Sequence, residues 1–115
     1  MAIMAVVNER CRYELDCRYS HRKSFYGKAN VVMYEDGSSA LISYSTVVAC
    51  VTMEDGKKVA HHRGQYSMTT STHQKEYLKQ EGFYADNTKQ MIKDYGDTEE
   101  NPFDWKNFML ERGLR

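Results

Sequence analysis

The sequence predicts an α+β fold, an antiparallel β-meander of about three to five strands followed by two or three short α-helices. Three observations lead there. Between Ser24 and Ser67, β-branched and aromatic residues run in short blocks, which is strand composition. Glu35-Asp36-Gly37-Ser38 and Glu54-Asp55-Gly56-Lys57 separate those blocks, and Asp-Gly suits a tight hairpin because both central residues can take positive φ. After Ser67 the spacing becomes helical, with caps and glycines at its boundaries.

The first strand is expected over Cys11 to Tyr19, with Cys11, Tyr13, Leu15 and Cys17 on one face and Arg12, Glu14, Asp16 and Arg18 on the other. The meander follows as Phe25 to Tyr34, Ala40 to Tyr44, Val47 to Met53 and Val59 to Tyr66. Val47-Val48-Ala49-Cys50-Val51 is continuously apolar, as in a strand covered on both faces, whereas Lys57 to His62 reads as an edge. His61 and His62 should then point to opposite faces. Ser71-x-x-Gln74 forms a capping box for the first helix, which Gly82 closes, and Asn87-x-x-Gln90 starts a second that Gly96 stops. Asn101-Pro102 places a cap before a first-turn proline, with Asp104 near the positive end and Gly113 at the close. At 115 residues without repeats the chain reads as a single domain, 11–67 mainly β and 68–115 mainly α.

Sixteen basic and sixteen acidic residues give no net charge, hence no global field to hold nucleic acid or an anionic membrane. Locally the charge is uneven. From Arg10 to Lys28 six basic residues stand against two acidic ones, and from Asp94 to Asp104 five acidic residues stand against none. No apolar run approaches the ~20 residues of a membrane span, and the opening residues lack the basic flank of a secretory signal. Three cysteines, odd in number and sparse, suggest free thiols in a reducing compartment.

Ser67, Thr69, Thr70, Ser71 and Thr72 crowd beside His73, superficially a hydroxyl nucleophile with its base. Helix capping explains the hydroxyls better, and the same turn, through Thr70, Ser71 and His73, is a candidate anion site. No Cys or His spacing organises a metal, and no cofactor motif is present in the sequence. Arg18-Tyr19-Ser20-His21-Arg22-Lys23-Ser24-Phe25-Tyr26 interleaves cations with aromatic rings, so Arg18, Arg22, Lys23 and Lys28 are candidate phosphate contacts. Nine tyrosines and seven methionines exceed what so small a core needs, and Tyr44, Tyr66 and Tyr84 are expected to keep wet hydroxyls. For partner binding the candidates are the stripe Trp105, Phe108 and Met109, then Tyr95, with the acidic Asp97, Glu99 and Glu100. The stripe's competing role is to cover the sheet.

Three phrases, Ser24-Phe25-Tyr26-Gly27-Lys28-Ala29, Leu41-Ile42-Ser43-Tyr44-Ser45-Thr46-Val47-Val48-Ala49 and Tyr66-Ser67-Met68-Thr69-Thr70-Ser71-Thr72-His73, resemble a family of small proteins encoded by bacteriophages and prophage-bearing bacteria. That family is catalogued as a domain of unknown function, and the resemblance covers roughly Cys17 to Phe83. In it an arginine often precedes the histidine, where this chain has Thr72. The resemblance implies a phage-type accessory protein in the bacterial host cytoplasm, with no cofactor and no catalytic residue to carry over. The function expected is binding a host macromolecule, first a host protein such as a defence or gene-expression component, rather than catalysis. A nucleic-acid-binding module using residues 18–28 is the alternative, followed by a minor virion or assembly component. No membrane partner is expected, and the sequence sets no oligomeric state.

Overall fold

Three tight turns fold the first half of the chain into a five-stranded antiparallel sheet of order β1-β2-β3-β4-β5. The computed structural model describes residues 6–97 and 102–114. Its strands are β1 (Glu9–Glu14), β2 (Ala29–Tyr34), β3 (Ser39–Ser43), β4 (Thr46–Glu54) and β5 (Lys57–His62). Three helices follow, α1 (Met68–Gln80), α2 (Thr88–Tyr95) and α3 (Trp105–Glu111). The predicted α+β class, with its meander followed by short helices, is the class observed.

The two Asp-Gly turns differ in detail. Asp55 (φ 52) and Gly56 (φ 76) both sit in the left-handed region between Glu54 and Lys57, as a two-residue hairpin loop requires. In the other turn only Gly37 has positive φ, and Asp36 instead accepts the Ser38 N–H at 2.9 Å through its side chain. The longer loop there, residues 35–38 against 55–56, relieves Asp36 of the left-handed conformation.

Strand ends depart from the sequence reading where turns interrupt. Phe25 to Lys28 is a turn rather than the start of β2, with Tyr26 and Gly27 at positive φ and the Gly27 N–H held by Glu14 at 2.6 Å. β5 ends at His62, short of Tyr66, because Gly64 turns the chain at φ 113. β1 leaves the sheet after Leu15, well before Tyr19, and all six of its residues are exposed; the expected inward face is realised only beyond the strand's end, by buried Leu15 and half-buried Cys17.

β4 is an interior strand between β3 and β5, and Val47 to Val51 are all buried as the sequence suggested. A bulge in its pairing with β3 leaves Val48 extra between Ala49 and Val47, so Val48 and Ala49 both face the same side. That side, under α1 and α2, gathers Leu15, Phe25, Val31, Leu41, Tyr77, Leu78 and Met91. The other gathers Val32, Tyr34, Ala40, Val47, Cys50, Trp105 and Phe108 under α3.

Each helix has an identifiable start. α1 begins at Ser67, whose hydroxyl accepts from the Thr70 N–H, not at Ser71, which lies buried within the first turn. The run of hydroxyls offered several caps, and burial of Thr70 and His73 against β3 selects the earlier one. Gly82 (φ 98) ends the helix, donating to Lys79 O at 3.0 Å while Phe83 donates to Leu78 O at 2.8 Å, the paired bonds of a Schellman motif. Asn87 caps α2 as read from the sequence, and Gly96 follows its end. Asp104 itself caps α3, so Pro102 precedes the helix rather than opening it; Asn101 lies outside the described residues. Arg112 then locks α3 to the β2–β3 turn, donating to Asp36 at 2.8 Å and lying 4.0 Å over the Phe108 ring.

Candidate functional site

Thr72, Lys75, Glu76 and Lys79 recur at i, i+3, i+4 and i+7 and so share one stripe of α1. Glu76 is the hinge of that stripe. Although only 2% exposed, its carboxylate accepts the Tyr19 and Ser20 N–H groups, each at 2.9 Å, and the Gln80 amide at 2.8 Å. Gln80 also donates to Asp16 O at 2.9 Å. These bonds strap residues 16–20 across the helix.

A cleft of about 420 Å³ opens between that strap and the helix, with Tyr19 to Arg22 on one wall and the Thr72–Lys79 stripe on the other. Three cations, Arg22, Lys75 and Lys79, converge there against the single carboxylate of Glu76, whose oxygens are already occupied by donors. None of the three forms an ion pair among the described residues. Tyr19 stands beside the cleft edge-on to Tyr84, ring centroids 6.1 Å apart.

The hydroxyl and imidazole cluster forms behind the cleft. Ser43 Oγ lies 2.8 Å from His73 Nδ1 and 3.0 Å from Thr70 Oγ1, and the Phe25 ring meets His73 edge-on at 4.6 Å. A hydroxyl in hydrogen-bond reach of an imidazole is nucleophile geometry, but Ser43, Thr70 and His73 are all buried, so the bonds join β3 to α1 and face no open space. Burial, and secondarily the Arg22 charge, lowers the His73 pKa and keeps its ring neutral. Thr70 and Ser71, named with His73 as the candidate anion contacts, are likewise buried, while Ser67 and Met68 at the start of the helix are exposed. The structure brings Arg22 into the cleft and leaves Lys23 and Lys28 exposed outside its walls, while Arg18 pairs with Asp16 at 3.3 Å.

His61 and His62 do face opposite sides. His61 stacks on Phe103 at 3.8 Å, and the buried His62 accepts the Gly64 N–H through Nδ1 at 3.1 Å. Burial lowers the His62 pKa to about 4. Cys11 is exposed, Cys17 half-buried and Cys50 buried, all as free thiols.

The C-terminal candidates are placed differently from the recognition reading. Trp105 and Phe108 are 9% and 4% exposed, sunk onto the sheet with half-buried Met109 beside them, because the β2–β4 face has no other helix to cover it. Asp97 accepts the Trp105 indole N–H at 2.8 Å, and Tyr95 rests against Phe83. Glu99 and Glu100 lie outside the described residues. Tyr44, Tyr66 and Tyr84 are exposed, as expected. No helix among the described residues is long and apolar enough to cross a membrane.

Lys75, Lys79 and Glu76 escaped the sequence reading. Two lysines at i, i+4 repel each other on a helix, a signal that was legible; the burial of Glu76 depends on the strap and was not.

A protein-family model described as a family of unknown function, DUF8033, matches residues 13–94, and the chain belongs to that family. No curated protein and no solved structure matches it.

Proposed function

We propose that this member of DUF8033 is a phage-type accessory protein of the bacterial cytoplasm that acts by binding a host macromolecule rather than by catalysis. The cleft between α1 and the 16–22 strap is its binding surface. The convergence of Arg22, Lys75 and Lys79, unpaired with any described acid on a concave wall, supports this reading, because cations so placed repel one another until an anion joins them. The phage-type origin rests on the three sequence phrases alone. Capture of a host protein through α3 and the acidic segment is weakened by the burial of Trp105 and Phe108. A negatively charged partner, from the defence or gene-expression machinery of the host, suits the cleft better.

The test is affinity capture from bacterial lysate with the natural chain and with Lys75→Glu/Lys79→Glu. Loss of the captured partner in the double variant, with circular dichroism unchanged, supports the cleft. Equal capture by both proteins places the binding surface elsewhere.

A further inference from the structure

We propose that the cleft binds one phosphodiester stretch of single-stranded nucleic acid, Arg22, Lys75 and Lys79 holding phosphates while the Tyr19 ring carries a base. The inference rests on the cleft being the binding surface and adds the ligand's chemical class. Its volume of about 420 Å³ falls in the roughly 300–1,000 Å³ range of small-ligand sites, room for a nucleotide unit but not for a duplex. Duplex readers insert a projecting helix or ribbon into a groove, and here the cationic stripe of α1 is instead the wall of a recess.

Cation and aromatic placement separates nucleic acid from an acidic peptide. A run of Asp and Glu side chains offers charge without rings, whereas a single strand offers regularly spaced charge and a planar face at every nucleotide. Tyr19 lines the cleft beside Arg22 and remains 49% exposed, and its edge contact with Tyr84 leaves a ring face for stacking. The Tyr19 backbone, meanwhile, is fixed by Glu76 at 2.9 Å. The platform is therefore held by a backbone bond that replacing its side chain would not break.

The experiment is fluorescence anisotropy of a labelled oligothymidylate about 12 nucleotides long, titrated with the full chain at several salt concentrations. Three phosphate contacts predict that log K falls with log salt at a slope of about −2. Lys75→Gln should flatten that slope by about 0.7, one contact's share. Tyr19→Ala should weaken binding roughly 10-fold with the slope unchanged, and Tyr19→Phe should restore it. Absence of binding at low salt, full displacement by an oligoglutamate of equal charge, or unaltered binding by the Arg22, Lys75 and Lys79 variants each overturns the proposal. If the oligonucleotide fails while lysate capture still depends on Lys75 and Lys79, the ligand class is wrong and the cleft stands; if capture ignores both lysines, the binding surface itself is wrong.

Discussion

The two faces of the sheet are built from different chemistry. Under α3, Val32, Tyr34, Val47 and Cys50 meet Phe103, Trp105 and Phe108, a face of aliphatic and aromatic groups. Under α1 and α2, an apolar cluster that includes Phe25, Val31, Leu41, Val48, Tyr77, Leu78 and Met91 is joined by buried Ser39, Ser43, His62, His73, Gln74 and Glu76. Apolar contact stabilises in proportion to area and has little directional demand, so the α3 face is suited to stability. Hydrogen bonds fix angles as well as distances, at the cost of burying polar groups, so the α1 face is suited to holding a surface in place. The cleft lies on the second kind of face. The difference implies that stability and binding can be perturbed separately.

The largest effect is expected from Trp105→Ala, which removes a buried ring and should cost about 3–5 kcal/mol in urea denaturation. The fraction that remains folded should keep its binding. A Trp105→Ala protein with an unchanged midpoint and lost partner capture would return α3 to the role of recognition element and abolish the division between faces.

Both faces carry a buried imidazole that responds to pH, His62 and His73 on the polar face and His61 against Phe103 on the aromatic one, and His62 is the most strongly shifted. The folded His62 pKa, about 4, lies below the unfolded value of roughly 6.5, so folding favours the neutral ring. Its contribution is complete above pH ~6.5 and is lost progressively as pH falls toward 4, amounting to order 3 kcal/mol across that window. Burial lowers the His61 and His73 values too, which adds loss in the same direction. Denaturation midpoints at pH 7.5 and 4.5 should differ strongly in the natural chain and less in His62→Gln. A variant with an unaltered pH profile would assign the loss to other groups.

The fold was largely legible because its signals are local. Asp55-Gly56, Asn87 and Gly82 each act within a few residues of themselves, and each does in the structure what its chemistry suggests. The site was legible only in part. Arg22 and Tyr19 stood out in a basic and aromatic run, but the wall they face is 50 residues or more along the chain, and the Tyr19–Glu76 bond spans 57 positions. Trp105 and Phe108 show a different limit, since the sequence left their two roles open. A helical stripe has the same spacing whether it faces a sheet or a partner, and only the uncovered β2–β4 face decides between them.

Glu76→Ala tests whether the polar face really positions the cleft. Removing the carboxylate leaves the Tyr19 and Ser20 N–H groups without their acceptor and should cost about 1–3 kcal/mol. Amide exchange at Tyr19 and Ser20 should accelerate far more than exchange in β4, and binding should fall with it. Exchange that stays slow at both residues would show that the strap is held by other contacts.

The smallest effect on stability is the most specific. Lys75 and Lys79 are like charges at i, i+4, so Lys75→Gln removes a repulsion and should stabilise the chain by about 0.2–0.5 kcal/mol. At this length that is a rise of roughly 1–3 °C in Tm, measurable by calorimetry at low salt and diminished at high salt. The same change should weaken ligand binding, because the lysine contributes one of the three converging charges. Stability and binding moving in opposite directions distinguish a lysine kept for a ligand from one kept for the fold. If Lys75→Gln instead lowers Tm, its charge is already compensated within the protein, and Arg22 and Lys79 alone are too few to sustain the cleft as an anion site.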